Sequence, residues 1–175
     1  GLKEKDIIPV IKHFPGHGSA ATDSHLGITD VTKTFQTEEL IPYQKLIEQG
    51  YSDMIMTAHI INKNIDPNYP ATLSPLFIEN ILRQELGFKG VVVSDDMDMG
   101  AIVNNYGFKE SLIKAIQAGC DLLIISNNGN TYNENIPQQA VETIFQAVQK
   151  GELSEQRINQ AYERIQGLKQ KSLSY

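Results

Sequence analysis

The chain has 175 residues, of which 41% are apolar, and a formal net charge of -6 at pH 7. This length and apolar content suffice for one domain with a buried core of ordinary size, which excludes intrinsic disorder and collagen-like repeats. The acidic charge argues against a nucleic-acid partner, since nucleic-acid binders usually present a basic face, and no apolar run approaches the roughly 20 residues that cross a bilayer.

Four short apolar runs rich in Ile and Val are predicted to be β-strands. Because their hydrophobicity is nearly continuous, we expect parallel strands that are covered on both faces. Each run is followed by a loop and then by a segment with helical spacing, which gives four β-α units. The runs are residues 7–11, 53–56, 90–93 and 121–125.

Helix signals lie between and after these strands. Thr37 and the two glutamates after it predict a helix start, although Pro42 falls inside the predicted helix. Ser74 followed by Pro75 predicts an N-cap and a first helical residue. Two further amphipathic helices are predicted over residues 136–149 and 154–169.

Polar residues gather at the same end of each predicted strand. In a (β/α)8 barrel these are the positions at the mouth, where functional residues collect. Such a barrel needs eight strands and about 250 residues, so four units predict half of one. Two open strand edges would then remain, which predicts a fragment or a half-barrel completed by another polypeptide. The polar residues are Lys12 and His13, Thr57 and His59, Ser94, Asp95 and Asp96, and Ser126 with Asn127.

The loop after the first strand is the densest polar stretch. Residues 12–18 read KHFPGHG, and the proline and glycines exclude a regular helix there. Asp23 and His25 follow it. If the chain is extended at that point, the two side chains point the same way, so the carboxylate could orient the imidazole and raise its basicity. Such a histidine suits proton transfer near neutral pH.

The third strand ends in Ser94-Asp95-Asp96-Met97-Asp98. Asp95 lies nearest the strand end, where a barrel residue points into the pocket, whereas Asp96 and Asp98 could equally cap the next helix. A carboxylate on one strand and an oriented histidine on the loop of another could flank a glycosidic bond.

A metal site is the rival interpretation of the same residues. Cys120 is the only cysteine, which excludes a cysteine-based zinc cluster and an intrachain disulfide. The proline and glycine between His13 and His17 remove the helix that would align them, which weakens the case for zinc. The candidate ligand sets are His13, His17, Asp23 and His25 for zinc or iron, and Asp95, Asp96 and Asp98 for magnesium.

Two segments resemble glycoside hydrolase family 3, in its β-N-acetylglucosaminidase (β-N-acetylhexosaminidase) branch. Residues 10–25, VIKHFPGHGSAATDSH, are similar to the signature of that branch, and residues 90–102, GVVVSDDMDMGAI, resemble its nucleophile segment. The stretches DMIMTAHI and PATLSP between them also resemble the family. The resemblance covers essentially residues 1–175. It implies an α/β fold, the C-terminal half of a (β/α)8 TIM-type barrel, that begins just before the fifth strand and lacks the N-terminal half.

The resemblance also implies roles for five residues. The aspartate of the Ser-Asp pair is the family's nucleophile, and it falls on Asp95. The Asp-x-His of the loop is the acid/base dyad of this branch, so His25 would transfer the proton and Asp23 would orient it. The Lys-His pair binds sugar hydroxyls in the family, which implicates Lys12 and His13.

The implied reaction is retaining hydrolysis of a terminal β-linked N-acetylglucosamine, typically from a cell-wall (peptidoglycan) fragment, through a covalent glycosyl-enzyme that water opens. No metal or organic cofactor is implied. A neutral imidazole avoids the repulsion between two carboxylates and would also admit phosphate as the acceptor. Family members bind the sugar partly through an aspartate and an arginine of the missing half, so the isolated chain is expected to be inactive or nearly so.

Two alternatives stay open at this stage, a metal-dependent TIM-barrel hydrolase and a non-catalytic carbohydrate-binding half-barrel. The expected partners are an N-acetylglucosamine-containing saccharide and the polypeptide that completes the barrel, with no nucleic acid and no membrane. The sequence leaves the location open between the cytoplasm, which we slightly favour, and the cell envelope or exterior.

Overall fold

The computed structural model describes residues 7–20, 27–128 and 132–172. Within these ranges the chain alternates between strands and helices, as the apolar runs predict. The predicted dyad residues Asp23 and His25 lie outside the described residues. The strands are β1 (Val10–Phe14), β2 (Thr29–Asp30), β3 (Met54–Thr57), β4 (Ile60–Ile61), β5 (Val91–Asp96) and β6 (Leu122–Ile124).

Four of the strands form one parallel sheet in the order β1-β3-β5-β6. A doubly wound sheet reverses its strand order at a switch point, whereas every connection here advances in the same direction. Right-handed crossovers that all advance one way place their helices on one side of the sheet. This arrangement is an arc of a (β/α)8 barrel. The two-residue strands β2 and β4 pair separately beside it, and they are too short to give a sequence signal.

The outer strands of this sheet are more exposed than predicted. Val10 in β1 is 38% exposed and Ile124 in β6 is 37% exposed, whereas Ile55 and Val92 in the inner strands are fully buried. The prediction that all four strands are covered on both faces was therefore wrong for β1 and β6, because each has a neighbouring strand of the described sheet on one side only. β1 also begins at Val10 rather than at residue 7, so that Lys12 and His13 lie within it.

The helices lie where helical spacing predicts them. A 3-10 turn over Thr37–Leu40 leads into the first α-helix, which puts Pro42 in its first turn, where the missing N–H costs no hydrogen bond. A π-type helix spans Leu76–Glu85, and the N–H of Leu86 reaches the carbonyl of Ile81, 2.9 Å away. The α-helices are α1 (Ile41–Glu48), α2 (Gly100–Tyr106), α3 (Phe108–Ala118), α4 (Ile136–Gln149) and α5 (Glu155–Ser172).

The sequence predicts that Ser74 is the N-cap of the π-type helix, but the Ser74 side chain does not cap this helix. Pro75 takes the N-cap position without a side-chain hydrogen bond, and the buried Ser74 hydroxyl has no hydrogen-bond partner among the described residues. The reason lies in the preceding 3-10 turn over Ala71–Leu73. Ser74 ends that turn with an extended backbone, and its carbonyl accepts the N–H of Ile78 at 3.2 Å.

The main core lies between the sheet and its helices. Phe14, Ile55 and Val92 from three strands pack there against Phe77 of the π-type helix and Leu112 of α3. Burial of these large apolar side chains supplies the main stabilisation of the fold, about 1.5–3 kcal/mol for each side chain. None of the described helices combines the length and the hydropathy that crossing a bilayer requires.

Candidate active site

Asp95 and Asp96 end β5, and their carboxylates have separate surroundings. One oxygen of Asp95, Oδ1, accepts the N–H of Asp96 at 2.8 Å, and the side chain is 22% exposed. The Oδ1 atom of Asp96 instead accepts the N–H of Ser126 at 2.8 Å and that of Asp98 at 3.1 Å. Asp96 therefore joins the loop after β5 to the loop after β6, whereas Asp95 keeps an oxygen available to a ligand.

The end of β1 brings His13 to Asp95. His13 Nε2 lies 3.9 Å from Asp95 Oδ2, and the imidazole is 31% exposed. The ring of His17 packs edge-on against that of His13, with 6.2 Å between the ring centroids. Lys12 is exposed on the same strand. The structure therefore brings together two of the residues predicted for the site, His13 and Asp95, from strands that are not neighbours in the sheet.

The loop that follows β1 is anchored by Glu39 of the 3-10 turn. Glu39 Oε2 accepts the N–H of Gly18 at 3.1 Å, and Oε1 accepts the hydroxyl of Ser19 at 2.5 Å. Gly16 approaches the same side chain with a φ of 138°, and a Cβ on it would lie 2.6 Å from Glu39 Oε2. The carboxylate thus fixes the course of the loop that leads toward Asp23 and His25.

A pair of glycine substitutions tests this anchor. Gly16→Ala should displace the loop, because the left-handed backbone costs an L-residue about 1–3 kcal/mol and the new methyl overlaps Glu39. Gly18→Ala is the matched control, since its Cβ would meet Glu39 Oε2 at an ordinary 3.7 Å. We expect thermal unfolding to show a lower midpoint for Gly16→Ala and nearly unchanged stability for Gly18→Ala. Equal midpoints would contradict the role assigned to this contact.

His59 was placed at a strand end by the sequence but was not singled out as a site residue. It is only 1% exposed. Its Nε2 lies 2.9 Å from the carbonyl oxygen of Asp96, and its Nδ1 lies 2.9 Å from Thr72 Oγ1. The signal in the sequence is the histidine itself, which together with Thr57 interrupts the apolar run from Met54 to Ile61.

The magnesium set predicted as an alternative does not form in the structure. Asp96 directs an oxygen to backbone N–H groups instead of toward Asp95 and Asp98. Across the described ranges, no three His, Cys, Asp or Glu side chains are grouped closely enough to hold a metal ion. The histidine set cannot be compared in the same way, because Asp23 and His25 lie outside the described residues.

Burial raises the pKa of the Cys120 thiol to about 12, so this side chain stays protonated at neutral pH.

The opposite end of the sheet carries an ionic cluster, which we call the Asp121 cluster. The Asp121 carboxylate is fully buried, and it contacts Arg83 at 2.8 Å, Arg157 at 3.0 Å and Arg164 at 2.9 Å. One of its oxygens also accepts the N–H of Val92 at 3.0 Å. The cluster links the start of β6 to β5, the π-type helix and α5. Residues at this end of a β-α sheet usually serve stability rather than chemistry.

Comparison with known proteins extends these observations. The family model for the glycosyl hydrolase family 3 N-terminal domain matches residues 1–168. A β-hexosaminidase from Nitrosomonas eutropha is 37% identical over 164 residues, which are 90% of this chain and 45% of that protein. A β-hexosaminidase from Shewanella frigidimarina is 39% identical over 133 residues, which are 73% of this chain and 38% of that protein.

A solved structure has the same fold over nearly the whole chain. It is a family 3 β-N-acetylglucosaminidase from Paenibacillus sp., with a TM-score of 0.89 and 35% sequence identity, and the match covers 98% of this chain and 32% of that one. The half-barrel prediction is therefore confirmed. The chain spans less than half the length of the curated relatives it matches.

Proposed function

Because the chain belongs to glycosyl hydrolase family 3, a family of glycosidases, we propose that it supplies the reacting groups of a retaining β-N-acetylglucosaminidase. Asp95 is the proposed nucleophile. The observation that carries this proposal is the position of its carboxylate at the end of β5, with Oδ1 held by a backbone N–H and Oδ2 facing His13. An oriented and partly exposed carboxylate at a barrel mouth is well placed to attack a sugar.

The reaction runs in two steps. Asp95 attacks the anomeric carbon while the glycosidic C–O bond breaks, and the departing oxygen takes a proton from His25. Water then gives a proton back to His25 and attacks the anomeric carbon, which releases Asp95 and retains the anomeric configuration. Asp23 orients His25, and Lys12 and His13 bind sugar hydroxyls beside the nucleophile. Phosphate in place of water would give phosphorolysis at the same site.

The substrate class follows from the relatives. Two of the matched proteins are named β-hexosaminidase, and the matched structure is named a β-N-acetylglucosaminidase. We therefore propose that a terminal β-linked N-acetylglucosamine is the group released, with a peptidoglycan fragment as the natural substrate.

The missing half of the barrel is the proposed partner. β1 and β6 are the outer strands of the described sheet, and apolar residues are exposed on both. Four further β-α units, on the same polypeptide or on another, would pair with both edges and close the barrel. We call the resulting eight-stranded protein the completed barrel, and we expect it to be the active form.

A mechanism-based label tests the assignment of the nucleophile. The completed barrel is incubated with a fluorinated N-acetylglucosaminyl donor, which slows release of the glycosyl-enzyme, and the labelled peptide is mapped by mass spectrometry. We expect the sugar on Asp95, no label in Asp95→Asn, and at most feeble labelling of the isolated 175-residue chain. A label on Asp98 or on any other carboxylate would refute the assignment.

The dyad is tested by varying the leaving group. His25→Ala should slow hydrolysis of an alkyl β-N-acetylglucosaminide about 100-fold or more, because an alkoxide needs a proton in order to depart. The same variant should slow formation of the glycosyl-enzyme from a dinitrophenyl glycoside far less, because that leaving group departs as an anion. Pre-steady-state rates with both substrates separate the two effects. Equal slowing of both would remove His25 from the acid role.

A further inference from the structure

His59 is a buried titratable group that the proposed chemistry does not use. It lies between β3 and β4, and its imidazole connects two parts of the chain. On one side Nε2 lies 2.9 Å from the Asp96 carbonyl oxygen, and on the other Nδ1 lies 2.9 Å from Thr72 Oγ1. Thr72 Oγ1 is in turn 2.9 Å from Thr57 Oγ1. All three side chains are buried, so their hydrogen bonds do not compete with bulk water.

The positions of the protons follow from the partners. A carbonyl oxygen only accepts, so the Nε2 atom of His59 must carry a hydrogen. Burial lowers the pKa of His59, which keeps the ring neutral and leaves Nδ1 as an acceptor. The Thr72 hydroxyl has two acceptors within reach, Nδ1 of His59 at 2.9 Å and the Ala58 carbonyl oxygen at 3.0 Å. The Thr57 hydroxyl lies 2.9 Å from Thr72 Oγ1. The result is a connected network of buried side chains in which His59 donates from Nε2 to the Asp96 carbonyl.

This hydrogen-bond network ends at Asp96, the residue that holds the proposed nucleophile. The N–H of Asp96 donates to Asp95 Oδ1 at 2.8 Å, and the Asp96 side chain accepts the N–H groups of Ser126 and Asp98. Asp96 is thus fixed at its amide, its side chain and its carbonyl. The carbonyl oxygen accepts the N–H of Met99 at 3.2 Å and also lies 2.9 Å from His59 Nε2, and the His59 contact ties Asp96 to the loop that follows β3.

We propose that His59 is a positioning residue, which holds the backbone of Asp96 at its carbonyl so that the Asp95 carboxylate, bonded to the Asp96 N–H, keeps its orientation toward the sugar. The inference rests on the proposed function, since it assumes that Asp95 is the nucleophile. Loss of the His59 contact would let the end of β5 rotate, and a displacement of about 1 Å at a reacting group costs about 100-fold in rate. Ground-state sugar binding through Lys12 and His13 would change less.

Two amide substitutions separate positioning from a merely structural role. In His59→Gln the side-chain amide nitrogen would lie near the position of the imidazole Nε2 and could still donate to the Asp96 carbonyl. In His59→Asn the side chain is shorter, so its amide could accept from Thr72 but could not reach that carbonyl. We expect His59→Asn to lower kcat of the completed barrel about 10- to 100-fold, with KM changed less than about threefold. We expect His59→Gln to retain kcat within about fivefold.

An NMR measurement that does not require turnover accompanies the kinetic measurements. In 1H–15N spectra of the completed barrel, the Asp96 amide reports its hydrogen bond to Asp95, and we expect it to shift in His59→Asn and to stay nearly unchanged in His59→Gln. If the wild-type barrel does not hydrolyse an aryl β-N-acetylglucosaminide, the proposed function fails, while these spectra still test the bonding.

The remaining outcomes decide the inference as well. Equal turnover in the two variants, or an unshifted Asp96 amide in His59→Asn, would show that His59 only fills the core. If neither variant folds, the side-chain spectrum of the wild-type His59 decides. We expect the tautomer with the proton on Nε2, and a proton on Nδ1 alone would overturn the proposal because the Asp96 carbonyl would then receive no hydrogen bond from the imidazole.

Discussion

Asp95→Ala should remove nearly all turnover of an aryl β-N-acetylglucosaminide by the completed barrel, a loss on the order of 10,000-fold. Without the carboxylate no glycosyl-enzyme can form, and the positive charge that develops at the anomeric carbon loses its nearest anion. Steady-state kcat is the measurement. Asp98→Ala is the control, because it removes a neighbouring carboxylate from the same segment, and we expect its kcat to stay within a few-fold of wild type.

Added azide makes this prediction sharper. In Asp95→Ala a small anion can occupy the space of the lost carboxylate and attack the sugar once, which gives a glycosyl azide of inverted configuration. In His25→Ala the nucleophile is intact, so azide would attack the glycosyl-enzyme and give the retained configuration. Product anomers are read by proton NMR. Ordinary turnover by Asp95→Ala without azide, or a retained azide product from it, would contradict the assignment.

Asp121→Asn should lower the free energy of unfolding of the completed barrel by about 3–5 kcal/mol. In the native protein the guanidinium groups of Arg83, Arg157 and Arg164 contact the fully buried Asp121 carboxylate. The substitution replaces this anion with a neutral amide. Arg83 keeps its contact with Glu79 at 3.5 Å, but the loss of the shared buried anion is much more costly than the loss of a surface pair. Urea unfolding followed by circular dichroism gives the difference.

The control for this prediction is an ion pair on the surface. Asp30 contacts Lys63 at 2.8 Å, and both side chains are about half exposed, so Asp30→Asn should cost at most about 1 kcal/mol. That pair holds the pKa of Asp30 at about 2, chiefly through the hydrogen bond from Lys63. A loss in Asp121→Asn no larger than that in Asp30→Asn would show that the cluster is not a major source of stability.

The sequence predicts the strands and helices well because each has a local cause. The apolar runs identify β3, β5 and β6 to within a few residues, and helical spacing gives α4 with the bounds Ile136–Gln149. β1 starts at Val10, later than the predicted residue 7, because pairing with β3, rather than hydrophobicity, decides which residues form the strand. The side chain of Ser74 fails as a cap because the turn before it already fixes its backbone.

Contacts between segments that are far apart in the chain could not be predicted from the sequence. Asp121 was predicted as the first residue of a strand, yet its arginine partners lie 38, 36 and 43 residues away, and no periodicity connects them. Glu39 was interpreted as part of a helix start, and its contacts to Gly18 and Ser19 depend on how the loop folds back. By contrast, the sequence does predict that His13 and Asp95 lie at the same edge of the sheet, because parallel strands bring their carboxyl ends to one edge.

The Asp121 cluster and the proposed nucleophile occupy opposite ends of β5. Asp121 contacts the amide of Val92, and Asp95 follows three residues later, about 10 Å further along the strand. Perturbations separated by that distance, without a shared partner, add in free energy. Substitutions at the mouth therefore carry only their own cost in stability, because they leave the contribution of the Asp121 cluster unchanged.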